Sequence, residues 1–256
     1  MLGLGLQATL RPKAEGAARP VQDGLVLADN FRKSPVNDEL GLTFPSNGSA
    51  VFNGTSDYIQ LPDPFSYTNH TIAAWVYLDN SSGTRIFFDN RDAGDDGIVF
   101  YFASSDQPTY LVNSAAISAP TISENNWYFA VGTYDGTTQK FYVDGSLVSS
   151  QATSQTINTT TDAIIGARSH TSPASYMNGN LANVAIWNRA LTSDEINTAM
   201  WASYDQLPTS IKVGLQAWYA LDSVDSFDWY TYAQNQGAVI EGRTCVDNAL
   251  NALAQL

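Results

Sequence analysis

The 256-residue sequence holds one cysteine, Cys245, two histidines, His70 and His170, and only five glutamates among its 25 acidic residues. A lone thiol excludes an intrachain disulfide and a four-thiolate metal site. Glutamate stands only at 15, 39, 124, 195 and 241. That excludes the Glu-x-Asp-x-x-Glu spacing, or its shorter form, in which one carboxyl protonates a glycosidic oxygen while another attacks or activates water. Neither histidine has the surroundings of a nucleophile's base, so both are expected at the surface or in turns. Together these shortages predict a protein that is not an enzyme.

Basic residues are scarce too, 12 against the 25 acids, which leaves a net charge of −13. No run of Lys or Arg occurs anywhere, and nucleic-acid phosphates would find nothing to pair with. No apolar stretch approaches the roughly 20 residues of a bilayer-crossing helix. The opening Met1 to Leu6 is broken by Gly3 and Gly5, and Arg11 and Lys13 follow it instead of preceding it, so it does not have the form of a secretory signal.

What the sequence does contain is β-sheet material: 44% hydrophobic residues and 12% aromatics, enough for one large core. The 20 aspartates favour turns over helix faces. Residues 1–23 lack a periodic apolar pattern and are expected to form an extended N-terminal arm, residues 24–223 the folded body, and residues 224–256 a C-terminal tail. Within the body, Thr71 to Leu78 is apolar on both faces, which places it in the middle of a sheet. Trp127 to Tyr134, Gln139 to Val143 and Ser146 to Ser149 are separated by Asp135-Gly136 and Asp144-Gly145, the dipeptides of type I′ hairpins. A capping box, Thr192 with Glu195, and a staple, Leu191 with Ile196, predict one short helix over 192–203. The class is therefore all-β, a two-sheet antiparallel sandwich with one short helix and extended terminal segments.

Six stretches carry a resemblance. They are Phe52-Asn53-Gly54-Thr55-Ser56-Asp57-Tyr58-Ile59, Thr71-Ile72-Ala73-Ala74-Trp75-Val76, Asn126 to Gly136, Phe141-Tyr142-Val143-Asp144-Gly145, Ile165-Gly166-Ala167, and Gly179 to Leu191. In order and spacing they resemble the laminin G-like domains of the concanavalin A-like lectin/glucanase superfamily. That resemblance implies a jelly roll and leaves function to be argued from sites. Many relatives place a calcium-ligating aspartate in the closing strand where this chain has Asn183, a departure that counts against calcium, and no cofactor is expected. The one calcium candidate is the loop containing Asp89, Asp92, Asp95 and Asp96, rich in hard oxygen ligands but without the closing acidic residue of an EF-hand.

Two functions follow as expectations. The first is a non-enzymatic structural protein of a virus particle, a bacteriophage capsid decoration or tail-fibre appendage, since Met-Leu-Gly-Leu-Gly-Leu resembles the starts of phage structural proteins. Arg11, Lys13 and Arg19 would then anchor it to other virion proteins and to copies of itself in a homo-oligomer. The alternative is a carbohydrate-binding or adhesion module of a bacterial surface protein, holding surface polysaccharide. Sugar sites need an aromatic platform with polar partners, and Tyr110, Tyr176 and Trp229 fall in or near loops where one could form.

Overall fold

Short runs of β-branched and aromatic residues bounded by turn dipeptides fold here as strands. The computed structural model describes residues 48–221, except 62, 80–81 and 169–172, together with the backbone pairing of three short segments beyond that span. The first two segments, β1 (Val36–Asn37) and β2 (Leu42–Thr43), pair antiparallel. There follow β3 (Ala50–Asn53), β4 (Tyr58–Gln60), β5 (His70–Leu78), β6 (Arg85–Asp89), β7 (Ile98–Phe102), β8 (Pro108–Val112) and β9 (Ala115–Ser118). Next come β10 (Trp127–Tyr134), β11 (Thr138–Val143), β12 (Ser146–Ala152), β13 (Ile164–Ile165) and β14 (Asn178–Trp187). Helices α1 (Ser193–Met200) and α2 (Thr209–Lys212), strand β15 (Leu215–Tyr219) and the third segment, β16 (Val239–Glu241), complete the order. The expected arm, residues 1–23, lies outside the described residues, as does most of the tail.

Two antiparallel sheets result. The first runs β12-β11-β10-β5-β14-β15, with β3 pairing the other half of β14, and the second runs β16-β4-β13-β6-β7-β8-β9. Their inner faces meet in one cluster that includes Phe52, Ile59, Ile72, Val76, Phe88, Phe100, Tyr110, Phe141, Ile165 and Leu181. Burial of each such side chain stabilises the fold by roughly 1.5–3 kcal/mol before chain entropy is counted.

Every residue of β5 is buried, as the apolar character of both its faces predicts. Ile72, Ala74, Val76 and Leu78 enter the inter-sheet core. Ala73 and Trp75 point the other way, into a second core that α1 and the residues after it close with Ile196, Met200, Leu207 and Ile211. The centre of the first sheet is thus buried on both faces, by its partner sheet and by the helical layer, while β12 at its edge stays largely exposed.

The meander shows how one dipeptide gives two turns. At Asp144-Gly145 both residues have positive φ, +50° and +75°, the two-residue type I′ turn. At Asp135-Gly136 only Gly136 does, and Thr137 joins the loop because Asp135 Oδ1 accepts hydrogen bonds from the Thr137 and Thr138 amides.

Helix α1 begins with the predicted capping box, Thr192 Oγ1 accepting from the Glu195 amide and the Glu195 carboxylate accepting from the Thr192 amide. It stops at Met200, earlier than the sequence suggests. The Trp75 indole donates to the Met200 carbonyl at 3.0 Å, and Trp201 turns aside to pack its ring 5.4 Å from that of Trp75. A second helix, the single turn α2, was not expected.

Candidate functional site

Alternation along the strands decides what the second sheet shows on its outer face. Ile59, Phe100, Phe102, Tyr110 and Val112 point inward. Tyr58 and Gln60 of β4, Tyr101 of β7 and Leu111 of β8 therefore point outward, and all four are partly exposed. From β4 to β7 the sheet order crosses three strand spacings, so Tyr58 and Tyr101 lie on the order of 14 Å apart.

One corner of this face is more elaborate. The segment leading into β14 lies alongside the sheet, with the Ile86 amide donating to the Ser175 carbonyl and the Met177 amide to the Gly166 carbonyl. That route sets the Tyr176 ring 6.4 Å from the ring of Tyr58 at 42°. The Tyr176 hydroxyl donates to the Pro173 carbonyl, which fixes the ring while leaving it half-buried. Arg168 comes from the same place: its amide donates to the Ala174 carbonyl, two residues before Tyr176. Its Nε is buried and makes no hydrogen bond.

Beneath Tyr58, the loop that the resemblance singled out has a structural role. Asn53 Oδ1 accepts from the amides of Thr55, Ser56 and Asp57, and the Asp57 carboxylate accepts from the amide and side chain of Asn53. This closed exchange holds Tyr58 at the start of β4.

The predicted site residues fare differently. Tyr176 stands at the corner just described. Tyr110, expected on an exposed platform, has no exposed surface: it lies within β8 with its ring stacked on Phe100 at 4.5 Å. The reason is strand parity, which turns Tyr110 and Val112 into the core and Leu111 out. Trp229, Arg11, Lys13 and Arg19 lie outside the described residues, as does His170.

His70, expected at the surface, is buried at the head of β5. Its Nδ1 donates to the Tyr67 carbonyl at 2.9 Å and its Nε2 accepts from the Tyr110 hydroxyl at 2.5 Å. Burial holds its pKa down to about 4 against the opposing pull of backbone carbonyls, so the ring is neutral and structural.

The acidic loop is knitted to itself. Arg91 binds both carboxylate oxygens of buried Asp89 and also reaches Asp95. Asp92 Oδ1 accepts from the Gly94 and Asp96 amides, and Asp96 accepts from the Asn158 amide. Among the described residues no three His, Cys, Asp or Glu side chains converge as metal ligands. Asn183 is buried with φ +48° at the bulge of β14, where its amide donates to the Ala220 carbonyl.

Sequence reasoning missed Tyr58 and Tyr101. Tyr58 lay inside a motif that was read as fold only, and the outward parity of Tyr101 could have been taken from its flanking phenylalanines.

Comparison with known proteins agrees with the architecture. Among curated proteins none matches this sequence. A protein of Bacteroides ovatus ATCC 8483, provisionally assigned to carbohydrate binding, superposes with a TM-score of 0.57 at 16% identity, covering 70% of this chain and 53% of that one. This chain thus spans about half the length of that protein. A mutant NanB sialidase from Streptococcus pneumoniae matches with a TM-score of 0.50 at 18% identity over 59% of this chain and 27% of its own. The CBM40 of a Ruminococcus gnavus IT-sialidase matches at 0.49 and 11% identity, over 60% of this chain and 98% of its own. The first two superpositions show a likeness of fold alone. Residues 53–197, more than half of the chain, match the laminin G-like family model described as concanavalin A-like lectin/glucanases superfamily, and the chain belongs to that family.

Proposed function

We propose that this protein is a carbohydrate-binding module whose sugar site is the corner of the second sheet at the start of β4, with Tyr58 and Tyr176 as its stacking platform. The observation that carries the reading is that aromatic pair: two partly exposed rings 6.4 Å apart, one fixed by a strand and the other by its hydroxyl's bond to Pro173. A pyranose face is apolar and rimmed by hydroxyls. Rigid aromatic rings offer it area at little entropic cost, and neighbouring amides such as Gln60 complete the hydrogen bonding. The named carbohydrate-binding assignment of the Bacteroides ovatus relative supports the reading.

Binding, not turnover, is the proposed activity. Asp89 lies in the same sheet, but it is buried beneath the Arg91 guanidinium and cannot serve as a free acid or nucleophile without losing that partner. A place on an extracellular or particle surface suits a glycan binder. The particle-borne version further requires Arg11, Lys13 and Arg19 to anchor residues 1–23, and nothing in the fold or among the relatives points to a virus. Removing residues 1–23 and measuring assembly tests that version.

The function is tested by screening the full chain against a glycan array and titrating the hits by calorimetry with wild type, Tyr58→Ala and Tyr176→Ala. Binding that weakens at least tenfold in both variants, with unchanged melting temperatures, is expected. An array without a hit, or hits indifferent to both substitutions, overturns it.

A further inference from the structure

We infer that β12 is the contact through which two copies of this chain pair, strand against identical strand, so that the first sheet of one copy runs on into that of the other. The inference is independent of the sugar site above.

An edge strand presents a row of unpaired backbone donors and acceptors, and folded proteins blunt such edges with short strands, charged side chains or proline. β12 has none of these. It is bonded to β11 alone among the described residues and closes one end of the first sheet. Its seven residues include no charge and no proline, and five of them are exposed, Leu147 by 52%. A bulge can also turn an edge away, but the bulge here falls at Val148 and leaves Ser149 to Ala152 in regular register with β11.

The distribution of charge identifies the partner. The chain carries −13, yet residues 107–123, which hold β8 and β9, and residues 145–161, which hold β12, contain no Asp, Glu, Lys or Arg. The two stretches meet where β9 packs against β12, so this flank of the sandwich is uncharged across both sheets. Its exposed residues include Ser114, Ala116, Ser150, Gln151 and Ala152. A basic partner would be drawn to the carboxylates elsewhere on the body. Two copies of so acidic a chain repel each other except where neither brings a carboxylate, and this flank is such a place. The one charge of β11, Lys140, stands beside Ser150. Across the pair it would lie three strand spacings from its own copy, on the order of 14 Å, beyond the screening length of physiological salt.

The strand also fits itself. Ser149 is opposite Phe141, which points into the core, and Ser150 is opposite Lys140 on the outer face. Two antiparallel β12 strands keep their faces matched when Ser150 meets the partner's Ser150, which sets Ser149 against Gln151 twice. A twofold axis there makes the contact isologous, and small side chains let the backbones reach each other. A single strand pair is a small interface, so the dimer belongs to the weak, concentration-dependent class.

The test is sedimentation of the full chain from about 1 μM to about 1 mM, the range over which a weak dimer forms. Wild type is expected to move from monomer to dimer, and more readily with added salt, since screening relieves the repulsion between two bodies of −13. Ser150→Glu and Ser150→Lys each set like charges face to face and should each weaken the dimer at least tenfold. Thr209→Glu, exposed on α2, should leave it unchanged. An equimolar mixture of Ser150→Glu and Ser150→Lys should pair at least as tightly as wild type, because only a position that meets itself gains from that mixture. A wild type that stays monomeric, a dimer indifferent to charge at Ser150, a dimer loosened by salt, or charged variants whose mixture does not pair would each overturn the inference. Melting temperatures equal to that of wild type show that pairing, not folding, is being read.

Discussion

The Tyr110 hydroxyl donates to His70 Nε2 at 2.5 Å inside the sandwich, while the other nitrogen of the same ring donates to the Tyr67 carbonyl. The pair joins β8 of one sheet to β5 of the other, and burial between the sheets keeps the imidazole neutral. The unfolded chain takes up this proton near the ordinary value of 6.5, whereas the folded chain resists it down to about 4. Between those values the unfolded state binds more protons, so stability falls as pH falls. The full window is worth about 3 kcal/mol. Urea unfolding at pH 7 and pH 4.5 should show most of that loss in wild type and little of it in His70→Gln. Equal slopes in the two proteins would mean that His70 is not held neutral.

Trp75 stands between Phe129 and Trp201, with ring centroids 5.3 and 5.4 Å away, and its indole closes the carbonyl end of α1. Trp75→Ala should cost roughly 3–5 kcal/mol, as for large aromatic truncations in cores. Trp75→Phe should cost less, keeping most of the packing but leaving the Met200 carbonyl without its donor. Chemical denaturation of the two variants checks the order.

Gly132 lies in the middle of β10 because the stacked rings of Phe100 and Tyr110 sit over it. A Cβ there would fall on Phe100 Cζ and within 2.9 Å of the Tyr110 ring. Gly132→Ala should therefore cost about 1–3 kcal/mol through overpacking, although alanine normally improves on glycine in a strand. Pairing it with Phe100→Leu should recover part of the loss, which thermal melts would show.

Thr192 and Glu195 cap α1 reciprocally, and Arg189 grips the Glu195 carboxylate with two nitrogens at 2.8 and 2.9 Å. Thr192→Ala should cost about 1 kcal/mol. The Arg189 bonds hold Glu195 below the usual glutamate range, so its contribution is complete above that range and is lost as pH falls through the folded value. Unfolding midpoints of Glu195→Gln and wild type should converge at acid pH.

The sandwich, the central strand and the helix start were all written in local chemistry. Apolar residues on both faces of Thr71 to Leu78, Asp-Gly pairs between short strands and a Thr-x-x-Glu box each act over a few residues, so each could be read without knowing what lay opposite. The double burial of that central strand was legible for the same reason.

The site was not, because whether an aromatic faces core or solvent depends on strand parity and on what packs across the gap. Tyr110 and Tyr101 sit in neighbouring strands and look alike in sequence, yet one stacks on Phe100 in the core and the other faces out. His70 became a core residue once Tyr110 arrived from the opposite sheet. Tyr176 met Tyr58, 118 positions away in the chain, only when the segment before β14 came to lie alongside the second sheet. Local composition determined the fold, because strands, turns and caps are short-range bargains between a backbone and its own side chains. Tertiary packing alone decided the site, because burial, the pairing of charges and the meeting of rings are set by neighbours that the sequence keeps far apart.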